Sequence, residues 1–85
     1  MIADMSLRLR IVSPEKIVFI GDVNSVTVPG MAGEFQVLPN HVPLISSLVQ
    51  GRLVYETVSD GRKEMTVSGG FAEVQGNEVN LCVEL

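Results

Sequence analysis

The side chains best suited to acid–base or nucleophilic chemistry are scarce in this chain of 85 residues. His41 is the only histidine, Cys82 is the only cysteine, and Glu34 is the acid nearest to the histidine in sequence. A histidine that acts as a general base needs an orienting carboxylate and a substrate pocket, whereas Pro39 separates Glu34 from His41. A zinc site needs about three protein ligands. We therefore expect no catalytic residue and no metal or cofactor site, a structural or interface role for His41, and a packed thiol at Cys82.

Composition argues against several classes of function. The net charge is −4 and the six basic residues form no run, so nucleic acid is not an expected partner, because phosphate binding needs a concentrated positive surface. No apolar stretch approaches the roughly 20 residues that span a bilayer, and residues 1–10 contain no apolar signal core. A single cysteine fits a reducing compartment. We expect one soluble domain over 1–85 that could dock on a membrane complex.

Proline and glycine crowd the stretch that contains the histidine, residues 27–45. Proline lacks an amide donor and glycine permits tight bends, so neither a long helix nor an unbroken strand can run through it. The pattern predicts a strand, a turn at 30–33, a second strand, a fixed loop around His41 and a third strand. The turn is not followed by Gly-Lys-Ser or Gly-Lys-Thr, so it is not a phosphate-binding loop. Taken alone, Glu34 is a solvated turn acid.

Apolar and polar residues alternate with period two along most of the chain, which is typical of half-buried strands. The clearest windows are 7–11 and 79–85, and no window of a dozen residues keeps a helical period. Asp60-Gly61 and Gly76-Asn77 are hairpin signals. The spacing predicts an all-β fold, an antiparallel β-sandwich or flattened barrel of two roughly five-stranded sheets.

The individual strands are predicted from the alternating windows and the turn residues between them. Gly21-Asp22 is read as a turn, and Gly69-Gly70 as a strand break or a bulge. The aliphatic residues are expected to fill the core between the sheets. The predicted strands are 6–12, 15–20, 23–29, 34–38, 43–49, 51–58, 62–68, 70–75 and 77–84.

The motifs of this chain resemble the N-terminal β-sandwich of the epsilon subunit of F-type ATP synthases, called delta in mitochondria. The resemblance covers almost the whole chain in order and at compatible spacing. Its main part is a Gly-Glu-apolar turn, then a Pro-x-His-x-Pro-Leu loop, then a Gly-x-apolar strand start. The matching segments are 9–15 (LRIVSPE), 28–30 (VPG), 33–35 (GEF), 37–45 (VLPNHVPLI), 51–53 (GRL), 67–74 (VSGGFAEV) and 77–79 (NEV).

The resemblance implies a non-catalytic subunit at the foot of the central stalk, a ten-stranded sandwich that touches both the gamma subunit and the membrane-embedded c ring. It implies a complex that includes the alpha and beta subunits, and a task of coupling proton flow to ATP synthesis. It places the Gly-Glu turn, with Glu34 and Met31, toward the c ring. It places toward gamma the serine that ends the first strand and the Pro-x-His-x-Pro loop, namely Ser13, Pro39, His41 and Pro43.

The resemblance also implies a peripheral position on an energy-transducing membrane, on the cytoplasmic side in bacteria and the stromal or matrix side in organelles. Many family members continue into a helical hairpin that can restrain ATP hydrolysis. This sequence stops at Leu85, so a naturally short form and a truncated chain are both open, with the hairpin absent in either case.

Two other functions are compatible with the residues. A free-standing sandwich could bind a ligand or a peptide through residues 27–45 and would show a pocket near His41. A small hydrolase could use His41 with an acid, although no motif places a nucleophile. Recovery with rotary ATPase subunits would decide among the three.

Overall fold

The computed structural model describes residues 6–85, which form strands joined by turns and loops. Part of the N-terminal segment considered above for a signal core, residues 1–5, lies outside the described residues. A membrane-crossing helix is absent from residues 6–85. The eight strands are β1 (Leu7–Val12), β2 (Ile17–Gly30), β3 (Gly33–Val37), β4 (Leu44–Leu48), β5 (Gly51–Thr57), β6 (Gly61–Val67), β7 (Gly69–Gln75) and β8 (Glu78–Glu84).

The all-β prediction is confirmed, but the predicted turn at Gly21-Asp22 is wrong. β2 runs without a break through the strands predicted at 15–20 and 23–29. Gly21 pairs with Leu9 across the β1–β2 ladder, and the Phe19 ring lies where a Cβ on Gly21 would stand, 2.8 Å from the nearest ring atom. The glycine is therefore needed to make room for an aromatic ring within the strand.

Because β2 is long, it forms part of both layers of the sandwich. Its first half pairs with β1 and its second half with β3 and β5. The β2–β5 register shifts between Val23 and Ser25, and such a bulge bends a strand and increases its twist. Four strands form one layer, β3-β2-β5-β6, which we call the antiparallel sheet. Five form the other, β2-β1-β8-β7-β4, which we call the mixed sheet.

The mixed sheet departs from the predicted antiparallel arrangement at one pair of strands. β1 and β8 run parallel, with Leu9 opposite Val79 and Ile11 opposite Leu81. A parallel pair cannot be joined by a hairpin, and here the chain between its two strands makes up most of the domain. The period-two pattern fixes which side of each strand is buried, but it does not fix the direction of the neighbour.

The predicted hairpin turns are confirmed. β5 and β6 meet at the Asp60-Gly61 turn, where Gly61 has a φ of +77°, and β7 and β8 meet at Gly76-Asn77. The inward residues of both sheets form one core, which explains the alternation read from the sequence. Its members are Leu7, Leu9, Ile11, Val23, Val26, Val28, Val37, Leu48, Leu53, Tyr55, Val67, Ala72, Val74, Val79, Leu81 and Val83.

Candidate interaction surfaces

The turn that joins β1 to β2 contains Ser13, and its hydroxyl closes that turn. The Ser13 Oγ donates to the Lys16 carbonyl at 3.3 Å and accepts the Lys16 amide at 3.2 Å. The Ser13 amide also donates to the same carbonyl, at 2.9 Å. A serine that bonds to nearby backbone is a common turn device. Ser13 therefore has a local structural role in addition to any contact it makes.

Beside Ser13 the outer surface of the mixed sheet forms an open apolar hollow. Its volume is about 310 Å³, and Val12, Phe71 and Cys82 contribute to its lining. These three residues stand opposite one another in neighbouring strands, because Val12 pairs with Cys82 and Cys82 with Phe71. The Phe71 side chain is 49% exposed. A large aromatic side chain that remains half in water is typical of a contact surface.

Gly70 also lines this hollow, at a position that no other residue type fits. Its φ is +137°, and a Cβ built there would lie 2.0 Å from the Cys82 carbonyl oxygen. The β7 backbone thus approaches β8 more closely than any side chain at this position would allow. The strand break predicted at Gly69-Gly70 lies one residue earlier, at Ser68, and no bulge interrupts the pairing of Gly69 and Gly70 with β8.

The turn between β2 and β3 projects Met31, at the same end of the sandwich as Ser13. Gly30 pairs with Gly33, and the Met31 amide donates to the Ser47 carbonyl at 2.9 Å. Ser47 itself lies opposite Phe71, in the same row of residues as the hollow. Met31 is 70% exposed. We call this the Ser13 end of the sandwich.

Glu34 lies on the outer face of the antiparallel sheet rather than at the tip of the turn. It shares a hollow of about 150 Å³ with Arg52 and Arg62, among other residues. Both arginines pair with Glu64, at 3.5 Å for Arg52 Nη1 to Oε1 and 3.0 Å for Arg62 Nη2 to Oε2. Within the described residues Glu34 itself has no ion-pair partner. Its carboxylate thus remains available to an external cation, beside two cations of its own domain.

The loop around His41 lies at the opposite end, beside the β7–β8 turn. The Asn40 amide donates to Asn77 Oδ1 at 2.7 Å. Asn40 has a φ of +67°, a left-handed conformation that asparagine tolerates better than most residues. The His41 Nδ1 lies 2.6 Å from the Val42 carbonyl oxygen. Since a carbonyl can only accept, Nδ1 is the donor in this contact.

Pro39 and Pro43 bracket His41, and the loop exposes apolar side chains. Val42 is 69% exposed and Leu38 is 50% exposed. Leu44, at the end of the loop, lies opposite Val74, which lies opposite Val79, and Val79 lies opposite Leu9. The end of the loop is therefore level with Leu9. Ser13 is therefore roughly 13 to 17 Å away along the strands, at about 3.3 Å per residue. We call this the Asn77 end.

The structure thus brings together only some of the residues that the sequence assigns to one surface. Ser13 and Met31, which the resemblance assigns to different partners, share the Ser13 end. Ser13 and His41, which it assigns to the same partner, lie toward opposite ends. The outer face of the mixed sheet connects them, and along it lie Phe71 and Ile45, the latter 76% exposed.

Sequence reasoning assigned no surface role to Phe71 or Asn77, and it included Ile45 only as the last residue of the stretch 27–45 that a free-standing binding domain could use. Ile45 and Phe71 look like core residues because they are large and apolar within predicted strands. The missing signal was the alternation of side chains between the two faces of a strand. Ala72 and Val74 are buried on β7, so Phe71, which precedes Ala72, must face outward. Across residues 6–85 no group of three His, Cys, Asp or Glu side chains could hold a metal ion.

Comparison with known proteins places this arrangement in a family. The profile described as ATP synthase, Delta/Epsilon chain, beta-sandwich domain matches residues 6–85. The ATP synthase epsilon chain of Nitratidesulfovibrio vulgaris strain DP4 is 45% identical over 82 residues, covering 95% of this chain and 60% of that protein. The epsilon chain of Chlorobaculum tepidum is 39% identical over 82 residues, covering 96% of this chain and 93% of that protein. The chain therefore spans about 60% of the first relative and nearly all of the second.

Solved structures support the same fold. A chain in the Euglena gracilis mitochondrial ATP synthase structure, described as OSCP/F1/c-ring in rotational state 1, superimposes with a TM-score of 0.87 at 23% identity, covering 94% of this chain and 51% of that chain. A chain of the Tetrahymena thermophila mitochondrial ATP synthase central stalk and c-ring structure gives a TM-score of 0.78 at 14% identity, covering 93% of this chain and 63% of that chain.

Proposed function

We propose a function from one premise: this chain belongs to the ATP synthase delta/epsilon family of β-sandwich domains. The chain is then a non-catalytic rotor subunit of the central stalk of an F-type ATP synthase. It links the gamma subunit to the c ring and helps to couple proton flow to ATP synthesis in the complex with the alpha and beta subunits. The family match over residues 6–85 is the single observation that carries this proposal.

Two further observations support it. The solved structures with the same fold are described as containing an F1/c-ring assembly and a central stalk with its c-ring. The surfaces of this chain are also suited to contacts rather than chemistry, since large apolar side chains are exposed at both ends and along one sheet. The location that follows is peripheral to an energy-transducing membrane, on its cytoplasmic side in bacteria and on the matrix or stromal side in organelles.

The gamma contact covers the outer face of the mixed sheet. Ser13 and the loop of Pro39, His41 and Pro43 lie toward opposite ends, so one partner reaches both only by covering the face between them. That face supplies Phe71 and Ile45, which are 49% and 76% exposed. A stable interface buries on the order of 1,200–2,000 Å² in total, and its centre is usually aromatic or aliphatic.

The c-ring contact is made by the turn between β2 and β3. Met31 lies at its tip and offers an apolar side chain that is 70% exposed. Glu34 offers a carboxylate on the adjacent edge, where Arg52 and Arg62 compete with any external cation. Because an exposed ion pair contributes only about 0 to 1 kcal/mol, Glu34 orients the contact more than it strengthens it.

The mechanical task requires a stiff body between two rotating partners. Ladders of backbone hydrogen bonds link all eight strands, and β2 belongs to both layers. A force applied at the Met31 turn is therefore carried along β2 into both the antiparallel and the mixed sheet, because a packed interior transmits strain. Torque between ring and gamma is transmitted without any bond-making step in this chain.

The proposal is tested by mixing the purified chain with the purified gamma subunit of the same organism. We expect a complex of one chain with one gamma on size-exclusion chromatography, and no ATP hydrolysis by the chain alone. The absence of a complex at micromolar concentrations contradicts the proposal. Recovery of a bound small molecule or peptide in place of gamma would favour the free-standing binding domain.

A further inference from the structure

Asn77 connects three segments at one end of the sandwich. Its side-chain Oδ1 accepts the Asn40 amide at 2.7 Å, and its backbone carbonyl accepts the Arg8 amide, also at 2.7 Å. We propose that Asn77 is a positioning residue that holds the His41 loop in the shape and place in which gamma binds it. This inference rests on the proposed function, because it concerns the same gamma contact.

The turn in which Asn77 lies does not itself require an asparagine. Gly76 has a φ of +62°, whereas Asn77 is not among the residues with positive φ. A two-residue hairpin turn with glycine first and a negative φ second is of type II′, and its second position accepts several small polar residues. The amide side chain is therefore explained by the bond it makes outside the turn, to Asn40.

The bond is placed where it controls the loop. Asn40 lies midway between β3, which ends at Val37, and β4, which begins at Leu44. Its amide donates to Asn77 Oδ1, which fixes the peptide plane between Pro39 and Asn40, and its φ is +67°. Pro39 immediately before it has a fixed φ, so the rotation at Asn40 sets the direction of the chain that follows. His41 and Val42 come next, and their placement therefore depends on the Asn40–Asn77 bond.

The bond to β1 aligns the loop with the proposed gamma surface. Arg8 lies on the outer face of the mixed sheet, paired with Asp22 at 3.5 Å, and it stands opposite Glu78 in the parallel ladder. Asn77 is thus fixed to the edge of that face through the Arg8 amide. The His41 loop is held at the end of the same face that carries Ile45 and Phe71, which extends a single contact surface from Ser13 to His41.

Two loss variants and one conservative variant test this role in the full chain. Asn77→Ala removes the acceptor, and Asn77→Ser removes most of its reach while keeping a residue that suits the turn. Asn77→Asp keeps an acceptor oxygen at the same position. Asn24→Ala, at an exposed position of the β2 bulge, removes the same side chain elsewhere and serves as the matched control.

The first measurement is the exchange rate of the Asn40 backbone amide in the free chain, followed by NMR. The second is affinity for purified gamma. We expect Asn77→Ala and Asn77→Ser to exchange Asn40 faster and to bind gamma more weakly, each by roughly fivefold to tenfold, as for the loss of one hydrogen bond. Asn77→Asp should restore both values to within about threefold, and Asn24→Ala should change neither.

Each contrary result has a distinct meaning. Unchanged Asn40 exchange in both loss variants shows that the bond does not hold the loop, and it overturns the inference. Faster exchange with unchanged gamma affinity overturns the positioning role alone. A wild-type chain that does not bind gamma overturns the proposed function, and the positioning role with it.

Discussion

The two outer faces of this sandwich differ in the side chains that they expose to water. On the antiparallel sheet, Arg52 and Arg62 both pair with Glu64, and Glu34 lies beside them. On the mixed sheet, the outward positions also carry charges, among them the Arg8–Asp22 pair and Glu73 opposite Ile45, but they include two large apolar side chains, Phe71 and Ile45, which are 49% and 76% exposed. The inner faces of both sheets are buried in the same core.

The difference indicates which face is favourable in water without a binding partner. A charged, internally paired face needs no partner, and the charges on the edge strand β6 also discourage pairing with other chains. A face with exposed aromatic and aliphatic residues in adjacent strands is favourable only when another surface covers it. The mixed sheet is therefore the face on which a change should affect binding most, while the same change on the antiparallel sheet should be tolerated.

The largest expected effect is on stability, and it distinguishes a glycine substitution in the mixed sheet from one in the antiparallel sheet. Gly70→Ala places a Cβ 2.0 Å from the Cys82 carbonyl oxygen, whereas a Cβ on Gly61 meets nothing within 4 Å. We expect Gly70→Ala to lower the free energy of unfolding by more than about 3 kcal/mol, and Gly61→Ala, with its positive φ, by about 1 kcal/mol. Urea unfolding checks both values. Equal losses would show that β7 does not depend on close approach to β8.

The next effect contrasts the same charge change on the two faces. Ile45→Asp, on the mixed sheet, should weaken gamma binding by at least about tenfold, because it replaces an exposed apolar side chain of the proposed interface with a second acid opposite Glu73. Thr66→Asp, which is exposed on β6 opposite Arg52, should leave gamma binding unchanged. Isothermal titration with purified gamma measures both, and thermal unfolding controls for stability. Similar losses for both variants would remove the distinction between the faces.

A smaller effect is expected at the proposed c-ring contact. Glu34→Arg adds a third cation next to Arg52 and Arg62, and it should repel the partner that Glu34 attracts. The change is worth about 1 kcal/mol, or roughly fivefold in affinity, because the site is exposed. ATP-driven proton pumping in reconstituted vesicles should fall relative to ATP hydrolysis, while Glu56→Arg on the same face serves as a control. Unchanged pumping in Glu34→Arg would exclude a coupling role for this carboxylate.

The smallest effect is expected at the turn of the β5–β6 hairpin, where Lys63 and Asp60 form an exposed ion pair. Lys63 Nζ lies 2.6 Å from Asp60 Oδ2, and its hydrogen bond and charge lower the pKa of Asp60 below the ordinary value of 3.8. A carboxyl group whose pKa is lowered by folding stabilises the fold at pH values above its ordinary, unfolded-state pKa. This stabilisation is lost as the pH falls through the pKa of the folded state. Lys63→Gln should bring the Asp60 pKa back toward 3.8 in an NMR titration and shift the acid unfolding midpoint only slightly. A large shift of that midpoint would contradict the exposed geometry.

Most of the fold could be predicted from the sequence because the chain is strongly patterned. Alternation identified the buried sides of β1 and β8, and Asp60-Gly61 and Gly76-Asn77 located two hairpins. The continuity of β2 could not be predicted, since glycine breaks strands more often than it accommodates a ring such as Phe19. The parallel pairing of β1 with β8 depends on the route of the whole chain, which no local pattern encodes.

The candidate surfaces were less accessible to sequence reasoning. The motif around His41 located a fixed loop, and Pro39 and Pro43 showed why it is rigid. The bond from Asn40 to Asn77 joins residues far apart in sequence, so no local pattern could show that Asn77 supports the loop. Ser13 and His41 matched one partner by motif, and only the structure shows that they lie toward opposite ends with Phe71 and Ile45 between them.

The most direct test is a residue-by-residue map of the proposed gamma contact on the isotopically labelled chain. Amide signals are recorded by NMR before and after addition of purified gamma, and amide exchange is measured in both states. We expect changes along a continuous surface from Ser13 through Phe71 and Ile45 to His41, with the β5–β6 face around Glu64 unaffected. Changes centred on Arg52 and Glu64, with the mixed sheet unperturbed, would contradict the assignment of gamma to the mixed sheet.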